Sequence, residues 1–282
     1  MTTARILIIA GSDSGGGAGI QADIKTVTML GGHAMTAITA ITAQNTLGVQ
    51  AVHAVPPEIV LAQTDSVVSD IGVDAVKIGM IGSAATAAAV AERLARLEGV
   101  PIVFDPVMVA TSGSVLADLD TVAAFEALLR VATVATPNMD ELAALSGMPV
   151  GNEIEIGGAA GNLLDRFGGA ILATGCKSGT GASQIFDDGR TISLNDHLFD
   201  QLFLQSEEEG WQEFCWNDAR IDTQEDHGTG CTLASAIATG LGQRMTLPDS
   251  IVRARAYVRA ALECAPGLGA GHGPMGVPRD VR

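Results

Sequence analysis

Residues Asp226 to Thr232, DHGTGCT, place a cysteine directly after a pair of closely spaced glycines. From Thr229 onward the residues are small and mostly apolar, TGCTLASAIATGLGQ, which predicts a buried helix that begins here. Glycines at 228 and 230 let the chain turn sharply and expose backbone N–H groups, and the first turn of a helix carries about half a positive charge. We therefore predict that Gly228, Thr229 and Gly230 form an anion hole.

A thiol at this position is a candidate catalytic base. A helix N-terminus stabilises a thiolate, so we expect the pKa of Cys231 to lie below the ordinary value of about 8.5. The alternative is a buried and inert cysteine, which is the usual state of a free thiol. The cysteines at 176, 215, 231 and 264 form no C-x-x-C pair and show no metal-ligand spacing, so neither a disulfide framework nor a zinc site is predicted.

Polar residues that follow apolar segments are the other candidates for chemistry. Strand-like and helix-like segments alternate through most of the 282 residues, which predicts an α/β fold with a mostly parallel sheet covered by helices on both faces. Ligands of such folds collect at the carboxyl ends of the strands. The strand ends are Gly11-Ser12-Asp13, Gln44-Asn45, Gly79-Met80, Asp105-Pro106-Val107 and Pro137-Asn138. A single Asp or Asn at such a position is best interpreted as a helix cap, whereas several at one edge of the sheet indicate a ligand site.

The glycine-rich segment GSDSGGGAGIQADIKT, which starts at Gly11, matches no standard phosphate-binding motif. It is not a Walker A loop, because Ile24 rather than glycine precedes Lys25, and it lacks the third glycine of G-x-G-x-x-G. Two interpretations remain, a tight turn and a loop that brings backbone close to a substrate.

Composition excludes some classes of partner. The chain has 16 Lys and Arg against 32 Asp and Glu, a net charge of −16, which argues against nucleic acid because its recognition requires a basic surface. No stretch approaches the roughly 20 apolar residues of a membrane span, and no signal peptide is visible. We expect a cytoplasmic protein in a reducing compartment.

Taken together, the motifs resemble those of the hydroxymethylpyrimidine/phosphomethylpyrimidine kinases of thiamine biosynthesis, in the ribokinase-like superfamily. The resemblance covers nearly the whole chain and is carried by AGSDSGGGAGIQADIKT, ITAQNTLGVQ, VKIGMIGS, FDPVMVATSG, TPNMDEL, HGTGCTLASAIA and GAGHGP. It implies one ribokinase-like domain over 1–282, with three α/β/α layers. It also implies phosphorylation of 4-amino-5-hydroxymethyl-2-methylpyrimidine with ATP and Mg²⁺, a second phosphorylation of the monophosphate, and a homodimer.

The resemblance further implies roles for individual residues. The pyrimidine site is implied to contain Gly11, Asp23, Gln44, Met80 and Val107. Asp105 and Glu141 are implied metal ligands, and the implied nucleotide contacts are Asn138, Glu141 and Thr174. Cys231 is implied to be the base. The chemistry of Gln44 is consistent with its role, because an amide offers both donors and an acceptor to an aminopyrimidine edge.

Two other functions are considered beside this one. A pyridoxal kinase is one, because the same fold could phosphorylate any heteroaromatic hydroxymethyl group; Gln44 and Met80 favour the pyrimidine. A pyrimidine- or nucleotide-binding sensor without catalysis is the other, and intact Asp105, Glu141 and Cys231 argue against it. The sequence Thr174 to Lys177, TGCK, departs from the KGGH of many family members and puts one nucleotide contact in doubt.

The stretch 195–222 is longer than the usual connection in the family. We expect an insertion or extended surface loop with its own small apolar cluster; a lid edge and a dimer contact are alternatives. It contains both tryptophans and three consecutive glutamates, 207–209. The apolar residues of the possible dimer contact are Leu198, Phe199, Leu202, Phe203, Trp211 and Trp216.

Overall fold

The computed structural model of the chain describes residues 3–177, 183–185, 191–193, 197–206 and 210–278. The chain divides into two compact units, one formed by Met1–Thr133 with Thr223–Arg282 and the other by Val134–Asp222. This division does not test the prediction of one domain, which stays a prediction. Within the described residues, no helix has the length and apolar character needed to cross a membrane.

The first unit contains five strands in the order β3-β2-β1-β4-β5. All neighbouring pairs are parallel except β2 and β3, which are antiparallel. The predicted mostly parallel sheet is thus confirmed for this unit, and its strands end close to the predicted polar residues. The bounds are β1 Arg5–Asp13, β2 His33–Asn45, β3 Gly48–Ala54, β4 Ala75–Ile78 and β5 Ile102–Phe104.

Six helices belong to the first unit. Several begin at side chains that accept a backbone N–H of the first turn, as in Ser83, Asp118 and Thr246. Helix α7 is buried along most of its length because its residues are small and apolar, as the sequence predicted. The bounds are α1 Gly19–Met29, α2 Pro57–Asp70, α3 Ala84–Leu94, α4 Leu119–Leu129, α7 Thr229–Gly242 and α8 Leu247–Glu263.

Among the described residues of the second unit, four strands form a sheet in the order β6-β7-β10-β11, in which β6 and β7 are parallel and the other pairs antiparallel. Two short strands, β8 and β9, form a separate antiparallel pair. The strands are β6 Val134–Ala135, β7 Ala170–Lys177, β8 Ser183–Ile185, β9 Thr191–Ser193, β10 His197–Ser206 and β11 Gly210–Ala219. The helices are α5 Met139–Ser146 and α6 Glu153–Phe167.

The expectation of a loop over 195–222 is wrong for most of that stretch. Strand β10 pairs with both β7 and β11, so two ten-residue strands replace the loop. Leu202 and Phe203 are fully buried inside the second unit, where the Phe203 ring lies 5.4 Å from that of Trp211. These two residues therefore belong to the core of the unit rather than to a subunit contact. The glutamates 207–209 lie outside the described residues.

Candidate active site

Asp13, the last residue of β1, organises the glycine-rich loop. Its carboxylate accepts the backbone N–H groups of Gly15 at 2.8 Å, Gly17 at 3.0 Å and Ala18 at 2.8 Å. Burial raises the pKa of this carboxyl, but hydrogen bonds from His227 and the loop amides outweigh it and hold the pKa below its ordinary value. The loop is therefore a tight turn built around one carboxylate.

The same loop packs against the start of α7. Gly228 has a φ of 90°, and a Cβ atom there would lie 2.0 Å from the carbonyl oxygen of Gly17. Glycine is the residue that adopts this left-handed backbone conformation readily and has no Cβ to collide with the carbonyl oxygen of Gly17. The predicted helix start at Thr229 is confirmed, and no side chain of the described residues caps this N-terminus. The N–H of Thr229 donates to the carbonyl oxygen of Asp226 at 3.4 Å, and the anion hole itself stays a prediction.

His227, which precedes Gly228, connects several of these segments. It is only 8% exposed, and its Nε2 lies 3.0 Å from Asp13 Oδ2. The side-chain amide of Gln44 lies 3.2 Å from the same nitrogen, and Thr111 Oγ1 lies 3.3 Å from Nδ1. Sequence reasoning missed His227 as a site residue, although its place beside the glycine pair was a usable signal.

The predicted pyrimidine residues fall into separate groups within the first unit. Gly11 and Met80 are in contact, because a Cβ at Gly11 would lie 3.1 Å from Met80 Sδ. Gln44 lies against His227 at the end of β2. Val107 is partly exposed, and its N–H donates to the carbonyl oxygen of Asp105 at 2.9 Å.

Asp23 differs from those four because its side chain is fully buried. Its carboxylate accepts two hydrogen bonds from Lys77 Nζ, at 3.0 and 3.1 Å, and one from Ser235 Oγ at 2.7 Å. The structure therefore does not bring Asp23 to a surface where a ligand could touch it. Its observed contacts are internal and hold Lys77 in place.

Lys77 is the cation of a buried polar cluster that sequence reasoning also missed. It lies in β4, whose four residues are all buried, and its Nζ is 3.7 Å from Asp105 Oδ2. Burial alone would lower the pKa of Lys77, but Asp23, Cys231 and Asp105 act in the opposite direction and raise it. The ammonium group therefore stays charged. We assign the compensating charge to Asp23, which takes both hydrogen bonds from Lys77.

Cys231 lies in the first turn of α7 and contacts this cluster. A Cβ atom at Gly230, the residue before it, would lie 3.7 Å from Asp105 Oδ1, and Lys77, Asp105 and Asp23 all act on the thiol electrostatically. The expectation of a lowered pKa is wrong. Burial raises the pKa of Cys231 to about 12, with Lys77 acting against that shift and the Asp105 and Asp23 carboxylates reinforcing it. In the ligand-free structure the thiol is therefore neutral at pH 7.

Asn138, Glu141 and Thr174 lie in the second unit. The Asn138 side chain accepts the N–H of Glu141 and the Glu141 carboxylate accepts the N–H of Asn138, both at 3.0 Å. This reciprocal pair is a capping box at the start of α5. The N–H of Thr174 donates to the carbonyl oxygen of Pro137 at 2.9 Å, which places Thr174 beside Asn138.

In the described part of the first unit, two carboxylate oxygens are buried without a hydrogen bond, Asp105 Oδ2 and Glu225 Oε2, and Asp105 is the one at a strand end beside α7. Asp105 Oδ2 is buried and accepts no hydrogen bond, although it faces Lys77 Nζ at 3.7 Å. Within the described part of the chain, no three His, Cys, Asp or Glu side chains are grouped as ligands for one ion. The residues therefore fit Mg²⁺ held by a single carboxylate and completed by water and phosphate oxygens, its common arrangement in phosphoryl-transfer enzymes.

Comparison with known protein families gives a match over nearly the whole chain. Residues 13–276 match the phosphomethylpyrimidine kinase family. A hydroxymethylpyrimidine/phosphomethylpyrimidine kinase of Rhizobium meliloti is 46% identical over 277 residues, covering 97% of this chain and 96% of that protein. A bifunctional thiamine biosynthesis protein of Geobacter sulfurreducens is 42% identical over 270 residues; the match covers 96% of this chain and 51% of that longer protein.

Solved structures agree with the fold and the family. Pyridoxal kinase of Bacillus subtilis, in an ADP complex, superposes with a TM-score of 0.80 at 28% identity and covers 98% of both chains. Phosphomethylpyrimidine kinase of Clostridium difficile has a TM-score of 0.73 at 30% identity, covering 91% of this chain and 98% of that one. This chain therefore belongs to the phosphomethylpyrimidine kinase family, and its activity is the phosphorylation of hydroxymethylpyrimidine and phosphomethylpyrimidine in thiamine biosynthesis.

Proposed function

We propose that the reaction centre is the first turn of α7, where Cys231 accepts the proton of the pyrimidine alcohol as the γ-phosphoryl group of ATP arrives. The observation that carries this proposal is the place of Cys231 in the first turn of α7, which has no side-chain cap among the described residues, beside the buried cluster of Lys77 and Asp105. The thiol is neutral in the free protein, so it must release its proton to solvent when the substrates bind, before the thiolate can take the proton of the alcohol.

The Gly228 to Gly230 segment stabilises the charge that develops during transfer. Phosphoryl transfer depends mainly on positioning and charge stabilisation, and uncapped N–H groups at a helix start supply both without a lysine. The N-terminus of α7 begins at a left-handed glycine with no side-chain cap among the described residues. This opening is consistent with a phosphate site.

Mg²⁺ would be held by Asp105, whose Oδ2 atom is buried without a hydrogen bond. When bound, the ion neutralises charge on the phosphate oxygens. Glu141 is the second proposed metal ligand, although one of its oxygens already accepts the N–H of Asn138. Asn138, Glu141 and Thr174 are proposed to contact the nucleotide. ADP in a structural relative supports a nucleotide site in this fold.

The pyrimidine is proposed to lie against Gly11, Gln44, Met80 and Val107, and Gln44 provides the sharpest test. Replacing Gln44 with leucine leaves polar groups of the ligand unpaired, which costs about 1–3 kcal/mol. We expect the KM for the pyrimidine alcohol to rise about tenfold while the KM for ATP stays within twofold. Gln50→Leu, on the exposed strand β3, is the matched control. Equal weakening of both substrates by Gln44→Leu would contradict this assignment.

Pyridoxal phosphorylation is the second candidate activity, favoured by the 0.80 TM-score to a pyridoxal kinase. A coupled assay for ADP release, with the pyrimidine alcohol, its monophosphate and pyridoxal in parallel, separates the two. We expect the pyrimidine alcohol to give the highest kcat/KM.

A homodimer remains a proposal, to be tested by sedimentation.

A further inference from the structure

The hydrogen-bond donors and acceptors around Gln44 determine which neighbour its amide oxygen contacts and which its amide nitrogen contacts. The amide lies between two groups, with its Oε1 position 3.2 Å from Thr42 Oγ1 and its Nε2 position 3.2 Å from His227 Nε2. The amide nitrogen donates and the amide oxygen accepts, so the surrounding donors and acceptors decide which atom occupies which position. His227 requires these two positions to be exchanged, and Thr42 is compatible with the exchange.

His227 must carry a hydrogen on Nε2. That nitrogen lies 3.0 Å from Asp13 Oδ2, and an ionised carboxylate only accepts hydrogen bonds. A protonated Nε2 cannot accept an N–H from Gln44, but it can share its hydrogen between the Asp13 carboxylate and a carbonyl oxygen. Three-centre hydrogen bonds of this kind are common in proteins. The amide atom facing His227 is therefore oxygen.

Thr42 is compatible with this orientation. Its hydroxyl donates to the carbonyl oxygen of Ser12 at 3.0 Å. The lone pairs of Thr42 Oγ1 can then accept an N–H from Gln44. The amide nitrogen therefore faces Thr42, and the two contacts together hold the amide in one orientation.

We propose that His227, held by Asp13, is a positioning residue that fixes the Gln44 amide and so sets the preference for an aminopyrimidine. The proposal rests on the proposed role of Gln44 in binding the pyrimidine. In this orientation Gln44 keeps one N–H and one oxygen lone pair for a ligand. An aminopyrimidine presents a ring nitrogen beside an amino group, which is the complementary adjacent acceptor and donor. Pyridoxal has no amino group beside its ring nitrogen.

The test is a double-variant cycle measured by titration calorimetry with the pyrimidine alcohol and, separately, with ATP. We expect His227→Phe to raise the Kd for the pyrimidine alcohol at least tenfold and to change the Kd for ATP less than twofold. In a Gln44→Leu background, the same replacement should change the pyrimidine Kd less than threefold. His227→Gln, which restores an N–H donor, should recover part of the affinity, a result that a purely structural role would not produce.

Matched controls and a second variant keep the test decisive. His33→Phe, at the exposed start of β2, should leave both Kd values unchanged. If His227→Phe does not fold, Thr42→Val removes the other contact of the amide and should raise the pyrimidine Kd at least threefold, again only while Gln44 is present. Thr36→Val on the same strand is its control.

Two outcomes would overturn the proposal in distinguishable ways. Additive effects of the His227 and Gln44 variants would show that His227 does not act through Gln44, and the proposed function would stand. An unchanged pyrimidine Kd in Gln44→Leu alone would remove the role of Gln44 itself, and the inference with it. In the expected case, His227→Phe also reduces the ratio of pyrimidine to pyridoxal affinity at least fivefold.

Discussion

Ligand contacts were expected at the N-termini of both α7 and α5, an anion hole at α7 and nucleotide contacts at α5, and the two helix starts are built in opposite ways. Helix α5 begins with a capping box, in which Asn138 and Glu141 satisfy each other's backbone N–H groups. Helix α7 begins at Gly228, a left-handed glycine that offers no side-chain cap. The side chains of the N-x-x-E motif accept backbone N–H groups at the start of their own helix, whereas the G-T-G motif provides no side chain that does so.

This difference assigns different tasks to the two helices. The backbone N–H groups at the start of α7 have no side-chain partner within the described part of the chain, so they can donate hydrogen bonds to a phosphate. A buried polar cluster lies beside that first turn and consists of Lys77, Asp23, Asp105 and Cys231. At α5, capping already occupies the Asn138 side chain and one Glu141 oxygen, so their first task is to stabilise the helix. Substitutions at the start of α7 and in its polar cluster should therefore reduce stability and activity more than substitutions at the start of α5.

Lys77→Met should produce the largest change in stability. It leaves the carboxylates of Asp23 and Asp105 buried without a cation, and breaking a buried ion pair in this way costs about 3–5 kcal/mol. Urea unfolding measures the loss. Lys25→Met, an exposed lysine on α1, should change the free energy of unfolding by less than about 1 kcal/mol. The double variant Lys77→Met with Asp23→Leu should recover part of the loss, and no recovery would contradict the pairing assigned here.

Cys231 should react slowly with iodoacetamide in the folded protein. Because burial raises its pKa to about 12, the thiolate fraction near pH 7.5 is on the order of 10³-fold below that of an ordinary thiol. The rate should rise about tenfold per pH unit as pH increases towards the pKa. Mass spectrometry in a Cys215→Ser, Cys264→Ser background, which lacks the two exposed thiols, measures it. Rapid modification at neutral pH would instead support the thiolate that the sequence led us to expect.

Gly228→Ala should cost more than the same change at Gly147. Both glycines have positive φ, 90° and 69°, so both pay about 1–2 kcal/mol for the left-handed backbone. Only at Gly228 would the new Cβ meet a backbone oxygen, whereas none of the described atoms lies within 4 Å of it at Gly147. We expect an excess destabilisation of about 1–3 kcal/mol at Gly228, measured by urea unfolding. Equal losses would show that the loop packing is not needed.

Asn138→Ala should have the smallest effect. Loss of an N-cap side chain costs about 1 kcal/mol, which thermal unfolding can measure. Asn152→Ala at the start of α6 removes an equivalent cap and is the matched control. Because the side chains of Asn138 and Glu141 already cap the start of α5, we expect Asn138→Ala to change kcat with the pyrimidine alcohol less than tenfold. A larger loss of kcat than in Gly228→Ala would reverse the assignment of tasks to the two helices.

The sequence predicted the elements of the first unit well because their signals are local. Apolar runs that end in Asp13, Gln44 and Asp105 mark the strand ends, and small residues after Gly228 mark a buried helix. The strands of 195–222 were missed although HLFDQLFLQ and WQEFCW contain aromatic and apolar residues typical of strands. The length of the stretch favoured a loop, and their strand partners lie in other segments.

The chemistry of the site was less predictable because it depends on contacts between distant segments. Lys77 was visible as one cation in an apolar strand, but nothing local identifies Asp23 and Asp105 as its partners. The pKa of Cys231 was predicted in the wrong direction, since the helix dipole is a local feature while burial and neighbouring carboxylates are not. His227 links segments more than 100 residues apart, which no spacing rule detects.

The two successive substrates test directly whether Cys231 serves as the base for the alcohol. An alcohol must lose a proton during transfer, so a positioned base contributes about 10²–10⁴-fold to that step. A phosphate monoester has a second pKa near 6 and is already mostly ionised at pH 7. The measurement is the ADP release rate of folded Cys231→Ala with each substrate. We predict a loss of at least about 10²-fold with the alcohol and less than about tenfold with the monophosphate; equal losses, or none, would contradict the account.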